Sequence, residues 1–296
     1  SFDNAVEGLG CEVKKDVPLK TYTSFRIGGP ADRLISVKDK VQLKTVLKAA
    51  HEYKVPVFAM GKGTNLLISD EGLRGVVIIL SGDFGRIHLK EDNKSIICGA
   101  GVSVASLCRF SRERSLTGAE FAWGIPGNVG GAVYMNAGAY GGEFKDIVKK
   151  CRHISMSGKE GSFSKEELNF SYRKSAYTGS GLIITEVTIE LDKGDITEID
   201  DKMSELITKR KSKQPYDIPS AGSTFKRPEG HFAAALIEEC GLKGKRIGGA
   251  MVSEKHAGFV VNTGDASCRD VQELIKYIQE EVYKKKNVNL ECEVKY

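Results

Sequence analysis

Apolar positions along the chain fall into short runs separated by turn residues, and their spacing switches between strand and helix periods. Runs at 34–37, 57–60, 76–80 and 95–98 predict strands. Val41, Leu43, Val46, Leu47 and Ala50 predict a helix that buries one face. A serine cap opens a second predicted helix over 103–115. Segments 147–156 and 182–191 read as strands, the latter alternating Ile or Val with polar residues. The polar turn Asp192-Lys193-Gly194-Asp195 marks the expected domain boundary. Beyond it Ile199, Met203, Leu206 and Ile207 share one helix face, and Val271, Leu274, Ile275, Ile278 and Val282 share another. A closing strand is expected over 288–294. The irregular order of these elements predicts an α+β fold rather than a doubly wound parallel sheet.

At 296 residues the chain is long enough for two domains, or three small ones. With 41% hydrophobic and 28% charged residues it has material for packed cores and no character of disorder. The apolar run 76–80, like every other in the chain, is too short to span a bilayer, and residues 1–10 lack the layout of a secretory leader. The seven cysteines include no CxxC pair and read as free thiols of a reducing cytosol. The net charge of +5 arises from interspersed acidic and basic residues without interleaved aromatics. That pattern disfavours nucleic acid and suits a small anionic ligand. The expectation is a cytoplasmic protein with no membrane partner, a monomer or weak oligomer.

Glycine is the outlying residue type. The chain holds 33, about 11% where about 7% is usual, clustered at 28–29, 61–63, 99–101, 124–142 and 241–249. Gly61-Lys62-Gly63-Thr64-Asn65 follows a predicted strand, where it makes either a nest of backbone N–H groups for a phosphate or a plain tight turn. Leu66 stands where a dinucleotide fingerprint needs glycine, and no Gly-Lys is followed by Ser or Thr. The stretch from Ile125 to Gly142 has too few side chains to pack on itself, so another backbone or, by preference, a flat ligand must fill the space. GxSxG and HExxH are missing, and the five histidines (51, 88, 153, 231, 256) lack metal-ligand spacing, which removes the common hydrolases and implies no metal.

Several segments together resemble the UDP-N-acetylenolpyruvoylglucosamine reductase family. They are 23–31 (TSFRIGGPA), 61–67 (GKGTNLL), 125–142, 169–173 (NFSYR), 220–228 (SAGSTFKRP) and 290–294 (LECEV), spread in order over almost the whole chain. The resemblance implies an FAD-binding fold of the vanillyl-alcohol-oxidase type, with two α+β subdomains and a further α+β domain closing over substrate. It places the FAD domain at 1–192, divided near 75–80, and the substrate domain at 193–296. Ser223 follows Arg173 by only 50 positions, so the chain resembles the family's shorter form, without the inserted tyrosine loop.

The resemblance also implies tightly bound FAD held by Gly61, Lys62, Gly63, Thr64, Asn65, Leu66, Gly127, Asn128, Gly130, Gly131, Ala132, Asn136 and Ala137. NADPH is the implied hydride donor. The implied reaction reduces a UDP-linked enolpyruvyl ether to UDP-N-acetylmuramate, a step of peptidoglycan precursor synthesis and so of cell-wall biogenesis, cell shape and division. Hydride passes from NADPH to flavin N5 and then to the substrate methylene. Negative charge develops on the carbon beside the carboxylate, where it must be stabilised and then protonated.

Three catalytic residues follow from the match. Arg173 has the planar fork that grips a carboxylate, although an arginine in such a turn is ordinarily a solvated cation. Ser223 would supply the proton; a serine is a weak acid, but the carbon it meets is a far stronger base than water. Glu293 shares a strand face with Glu291. If it points into the site beside an anionic substrate, its pKa rises and it serves as a neutral acid. Tyr172, Lys213, Arg227 and His256 match substrate-contact positions. Two other readings stand beside this one: a non-catalytic module for a nucleotide or phosphate ligand, and another FAD oxidoreductase of the same fold.

Overall fold

In the computed structural model, which describes residues 1–296, the two apolar runs at 34–37 and 76–80 become the C-terminal parts of longer strands. These are Pro30–Val37 and Leu73–Leu80, which join Glu12–Pro18 and Val57–Met60 in a four-stranded sheet. The strand order is 12–18, 30–37, 73–80, 57–60. Val57–Met60 runs parallel to its neighbour, with Val57 opposite Val76. A parallel pair needs a crossover, and here the connection contains the first long glycine motif instead of a helix.

The helix Lys40–Glu52 begins where the Asp39 carboxylate accepts the Gln42 N–H at 2.9 Å. Leu43, Val46, Leu47 and Ala50 are buried with Ile35, Val37, Val76 and Ile78. Val41, expected on the same face, is instead 73% exposed. Two positions before Leu43, it lies about 160° round the helix from the buried stripe.

A second sheet is antiparallel throughout, in the order 160–164, 148–154, 183–190, 95–99, 87–89. The helices Val104–Arg112 and Val129–Tyr134 share its core through Leu107, Val133 and Val187. Ser103 caps the first of them by accepting the Ser106 N–H at 3.0 Å. A small antiparallel sheet of Arg246–Ile247, Ala250–Val252 and Val260–Asn262 accompanies the helices Ala233–Glu239 and Cys268–Lys286. Val271, Leu274, Ile278 and Val282 of the last helix are fully buried, as its spacing requires.

Two compact units result, one of residues 1–14, 33–61 and 75–209, the other of 15–32, 62–74 and 210–296. This division differs from a single cut at 192/193, for two reasons. Asp192–Lys193 is a short strand paired with Leu116–Thr117, not a free linker. Helix Ile196–Lys213 therefore starts in the first unit, with Ile199 and Met203 in the core of Leu107 and Leu191. In the second unit Phe25, Ile27 and Leu67 are buried among Leu236, Ile237, Val271 and Leu274. The expected closing strand is likewise an extended segment with single bridges, Cys292 to Phe225 and Lys295 to Leu66.

In the second unit the segments 28–30 and 69–72 approach at backbone distance. Gly29 and Gly72 both donate their N–H to the Ser69 carbonyl, at 2.8 and 2.9 Å. A Cβ on Gly72, whose φ is +82°, would stand 1.8 Å from the Pro30 oxygen. Gly72→Ala is expected to destabilise the protein by about 3 kcal/mol through this clash and the strained φ. Urea unfolding checks it, and a loss below about 1 kcal/mol would contradict the close approach.

Candidate active site

The glycine-rich stretch in the first unit is not one long loop. It contains the helix Val129–Tyr134 and a tight pairing of Gly138–Ala139 with Gly142–Glu143. Its start is laced to the turn after strand Ser95–Gly99. Val104 N–H donates to the Gly127 carbonyl at 3.0 Å, Val129 N–H to Val102 at 2.8 Å, and Gly130 N–H to Ala100 at 2.9 Å. Asn128 Nδ2 donates to the Gly101 carbonyl at 2.5 Å, and a Cβ on Gly61 would meet Asn128 Oδ1 at 2.9 Å.

Adjacent glycines have different purposes here. A Cβ on Gly130 would lie 2.8 Å from Ala100 Cβ, so Gly130 permits packing. Gly131 is exposed, and a Cβ there would meet nothing within 4 Å. A bare backbone facing open space beside the pinned Asn128 is the kind of cradle a flat group such as FAD requires. The residues present therefore fit that cofactor.

Further along, the expected cofactor residues are engaged within the protein. Ala137 donates its N–H to the Ala132 carbonyl at 2.8 Å and accepts Phe144 N–H at 3.0 Å. The Asn136 side chain is wholly buried and bonded to protein partners. Tyr172 and Arg173 sit in a turn closed by reciprocal Ser171 and Lys174 N–H···O bonds of 3.1 Å each. Arg173 is half-buried, lies 4.8 Å from the Tyr172 ring centroid, and donates from Nη2 to the Gly138 carbonyl at 3.3 Å.

In the second unit the structure brings Ser223 and Glu293 onto adjoining backbone. Glu293 N–H donates to the Thr224 carbonyl at 2.9 Å, next to the Phe225–Cys292 bridge. Thr224 is buried and held on three sides. Besides that carbonyl, its N–H donates to Gly258 at 2.8 Å and its Oγ1 accepts Val260 N–H at 3.0 Å. Gly222, at φ +75°, turns the chain just before Ser223. Thr224 is the supporting residue that sequence reasoning missed.

The loop Gly63–Leu67 belongs to the same unit and is tied to the same segment. Asn65 Nδ2 donates to the Glu293 carbonyl at 3.2 Å, Lys295 N–H to Asn65 at 2.9 Å, and Leu67 N–H to Lys295 at 2.8 Å. Gly63, at φ +60°, accepts the Ser24 N–H at 3.2 Å, and a Cβ there would come within 2.5 Å of the Tyr22 oxygen. One extended segment thus supports both the glycine loop and the carboxylate.

The expected substrate contacts are more dispersed. Lys213 ends its helix and is exposed. Arg227 is exposed, with its guanidinium 4.1 Å from the Phe232 ring centroid. Burial lowers the pKa of His256, and its Nδ1 accepts Gly258 N–H at 3.1 Å, so the ring is a neutral hydrogen-bonding group at pH 7. Lys226, which sequence reasoning passed over, has its side chain largely buried in an ion pair with Glu291. Burial also pushes the Cys98 and Cys108 thiols up to about 12, and raises that of Cys292, so these remain thiols.

Residues 31–162 match a family described as FAD binding domain, and residues 214–296 match the C-terminal domain of UDP-N-acetylenolpyruvoylglucosamine reductase. Fold and site thus define an FAD-dependent oxidoreductase of the α+β class, in which no helix is long and apolar enough to cross a membrane. The chain is 48% identical over 284 residues to the UDP-N-acetylenolpyruvoylglucosamine reductase of Clostridioides difficile, covering 96% of this chain and 93% of the relative. The enzyme of that name from Clostridium tetani is 44% identical, with 99% and 95% covered. The crystal structure of UDP-N-acetylenolpyruvylglucosamine reductase from Thermus caldophilus superposes with a TM-score of 0.84 at 38% identity, covering 96% of this chain and 98% of that one. The chain belongs to the UDP-N-acetylenolpyruvoylglucosamine reductase family.

Proposed function

We propose that the protein reduces the enolpyruvyl ether of UDP-N-acetylglucosamine to UDP-N-acetylmuramate with NADPH as reductant, and so serves peptidoglycan synthesis. The observation that carries this reading is the adjoining backbone of Ser223 and Glu293, tied through Asn65 to the glycine loop. FAD, when bound, supplies the two-electron chemistry. Gly63–Leu66 and Gly127–Ala132 are the segments that would hold it.

The chain's own residues then handle binding and the proton. Arg173 grips the substrate carboxylate through two parallel N–H···O bonds and offsets the negative charge developing on the adjacent carbon. Ser223 gives its hydroxyl proton to that carbon. Hydride and proton together add across the carbon–carbon double bond, and NADPH ends as NADP⁺. Glu293, close to an anionic ligand, holds a proton and donates it as a hydrogen bond. Tyr172 supports the substrate beside Arg173. Lys213 and Arg227 offer positive charge to the diphosphate, whereas neutral His256 contributes a hydrogen bond.

FAD-loaded protein given NADPH and the enolpyruvyl substrate should yield a product heavier by one hydride and one proton, read by mass spectrometry. Deuterated NADPH should label the product's methyl group. A protein that takes up no FAD, or that bleaches with NADPH yet forms no such product, would end this assignment.

A further inference from the structure

Arg173 has a backbone conformation that its side chain does not favour. Its φ of +55° lies in the left-handed region, which costs a non-glycine residue about 1 kcal/mol or more. Surrounding structure must impose it. The Ser171 carbonyl, two residues earlier, accepts both Lys174 N–H at 3.1 Å and Asn136 Nδ2 at 3.0 Å.

Asn136 is suited to this restraint. It is completely buried and itself left-handed, at φ +43°. Its Oδ1 accepts Lys145 N–H at 2.9 Å, and Nδ2 also reaches Glu143 Oε2 at 3.4 Å. The amide is therefore fixed by the 143–145 segment while it donates to the turn. The Arg173 guanidinium is fixed against the same stretch, through the carbonyl of Gly138. Both the base and the tip of Arg173 are thus referenced to residues 136–138.

We propose that Asn136 is a positioning residue that sets Arg173 for a carboxylate ligand. This rests on the reading of Arg173 given under Proposed function. It moves Asn136 from the expected cofactor contacts to the recognition of the substrate's acid group.

Asn136→Asp keeps the size, the tolerance of left-handed φ and the acceptor for Lys145, but removes the donor to Ser171. Asn136→Gly keeps the backbone conformation without a side chain and serves should the first variant not fold. Holoenzyme is titrated calorimetrically with UDP-N-acetylmuramate, which bears the carboxylate, and with UDP-N-acetylglucosamine, which does not. Either variant should weaken the first ligand about tenfold and the second less than about twofold. Arg173→Ala should show the same selectivity, and adding Asn136→Asp to it should cost nothing further. Equal weakening of both ligands, or full additivity with Arg173→Ala, would mean a merely structural asparagine and overturn the proposal. If Arg173→Ala leaves the discrimination intact, the reading of Arg173 itself fails and the positioning role falls with it.

Discussion

Ser223→Ala is expected to slow the substrate half-reaction by about a thousandfold, within the range for loss of a positioned general acid. Flavin reduction by NADPH should survive. The asymmetry follows from the chemistry: a proton reaches carbon only after the enolpyruvyl group has accepted hydride. The geometry supports a clean substitution, because Thr224 is held through its N–H, carbonyl and Oγ1 and keeps the backbone in place when the neighbouring hydroxyl is lost. Stopped-flow absorbance separates the two half-reactions. Equal slowing of both would identify Ser223 as structural, since the defect would then precede the proton step. A variant with normal turnover would leave the proton to another donor, with Glu293 first to be examined on the adjoining segment.

Arg173→Lys should reduce the rate of the substrate half-reaction by about a hundredfold, and Arg173→Ala by about a thousandfold. Lysine retains the charge but loses the planar fork, so the loss in Arg173→Lys measures the bidentate grip, and the further loss in Arg173→Ala measures the charge. Lysine is also poorly placed to replace the Arg173 contacts to the Gly138 carbonyl and the Tyr172 ring. The same stopped-flow experiment reads both variants. Near-normal turnover of Arg173→Lys would show that a point charge suffices, and the carboxylate clamp would have to be abandoned.

Local patterns proved readable where a single element determines burial. Leu43, Val46, Leu47 and Ala50 reveal their helix because the period of 3.6 needs no distant partner, and Val41 misleads only by lying off that stripe. Segments whose shape depends on remote pairing were less transparent. Asp192–Lys193 looked like a linker from its polarity, yet pairs with Leu116–Thr117. The segment 288–294 looked like a strand, yet it forms a single bridge, Cys292 to Phe225.

The site divides in the same way. Glycine clustering located the loops, but could not tell Gly130, excluded from side chains by Ala100, from Gly131, which borders open space. Motif position suggested a cofactor role for Asn136; its partner Ser171 lies 35 residues away. Arg173, Ser223 and Glu293 emerged as candidates only through resemblance, since an isolated Arg, Ser or Glu has no spacing that distinguishes chemistry from an ordinary turn or wet strand face. Thr224 had no such signal: its importance comes from three backbone partners on segments distant in sequence.

The ties on the glycine loop also impose an order in time. Asn65 is bonded to a residue 228 positions later, and Asp70 accepts the N–H of Cys268, 198 positions on. As the chain leaves the ribosome, the loop after strand Val57–Met60 emerges early, yet these bonds must wait for residues 268–295 to be made. Closing spans of that length costs entropy before any contact repays it. The segment that emerges among the first is thus among the last to acquire its final shape, and a nascent chain that stops short of these residues has the motif without the bonds that hold it.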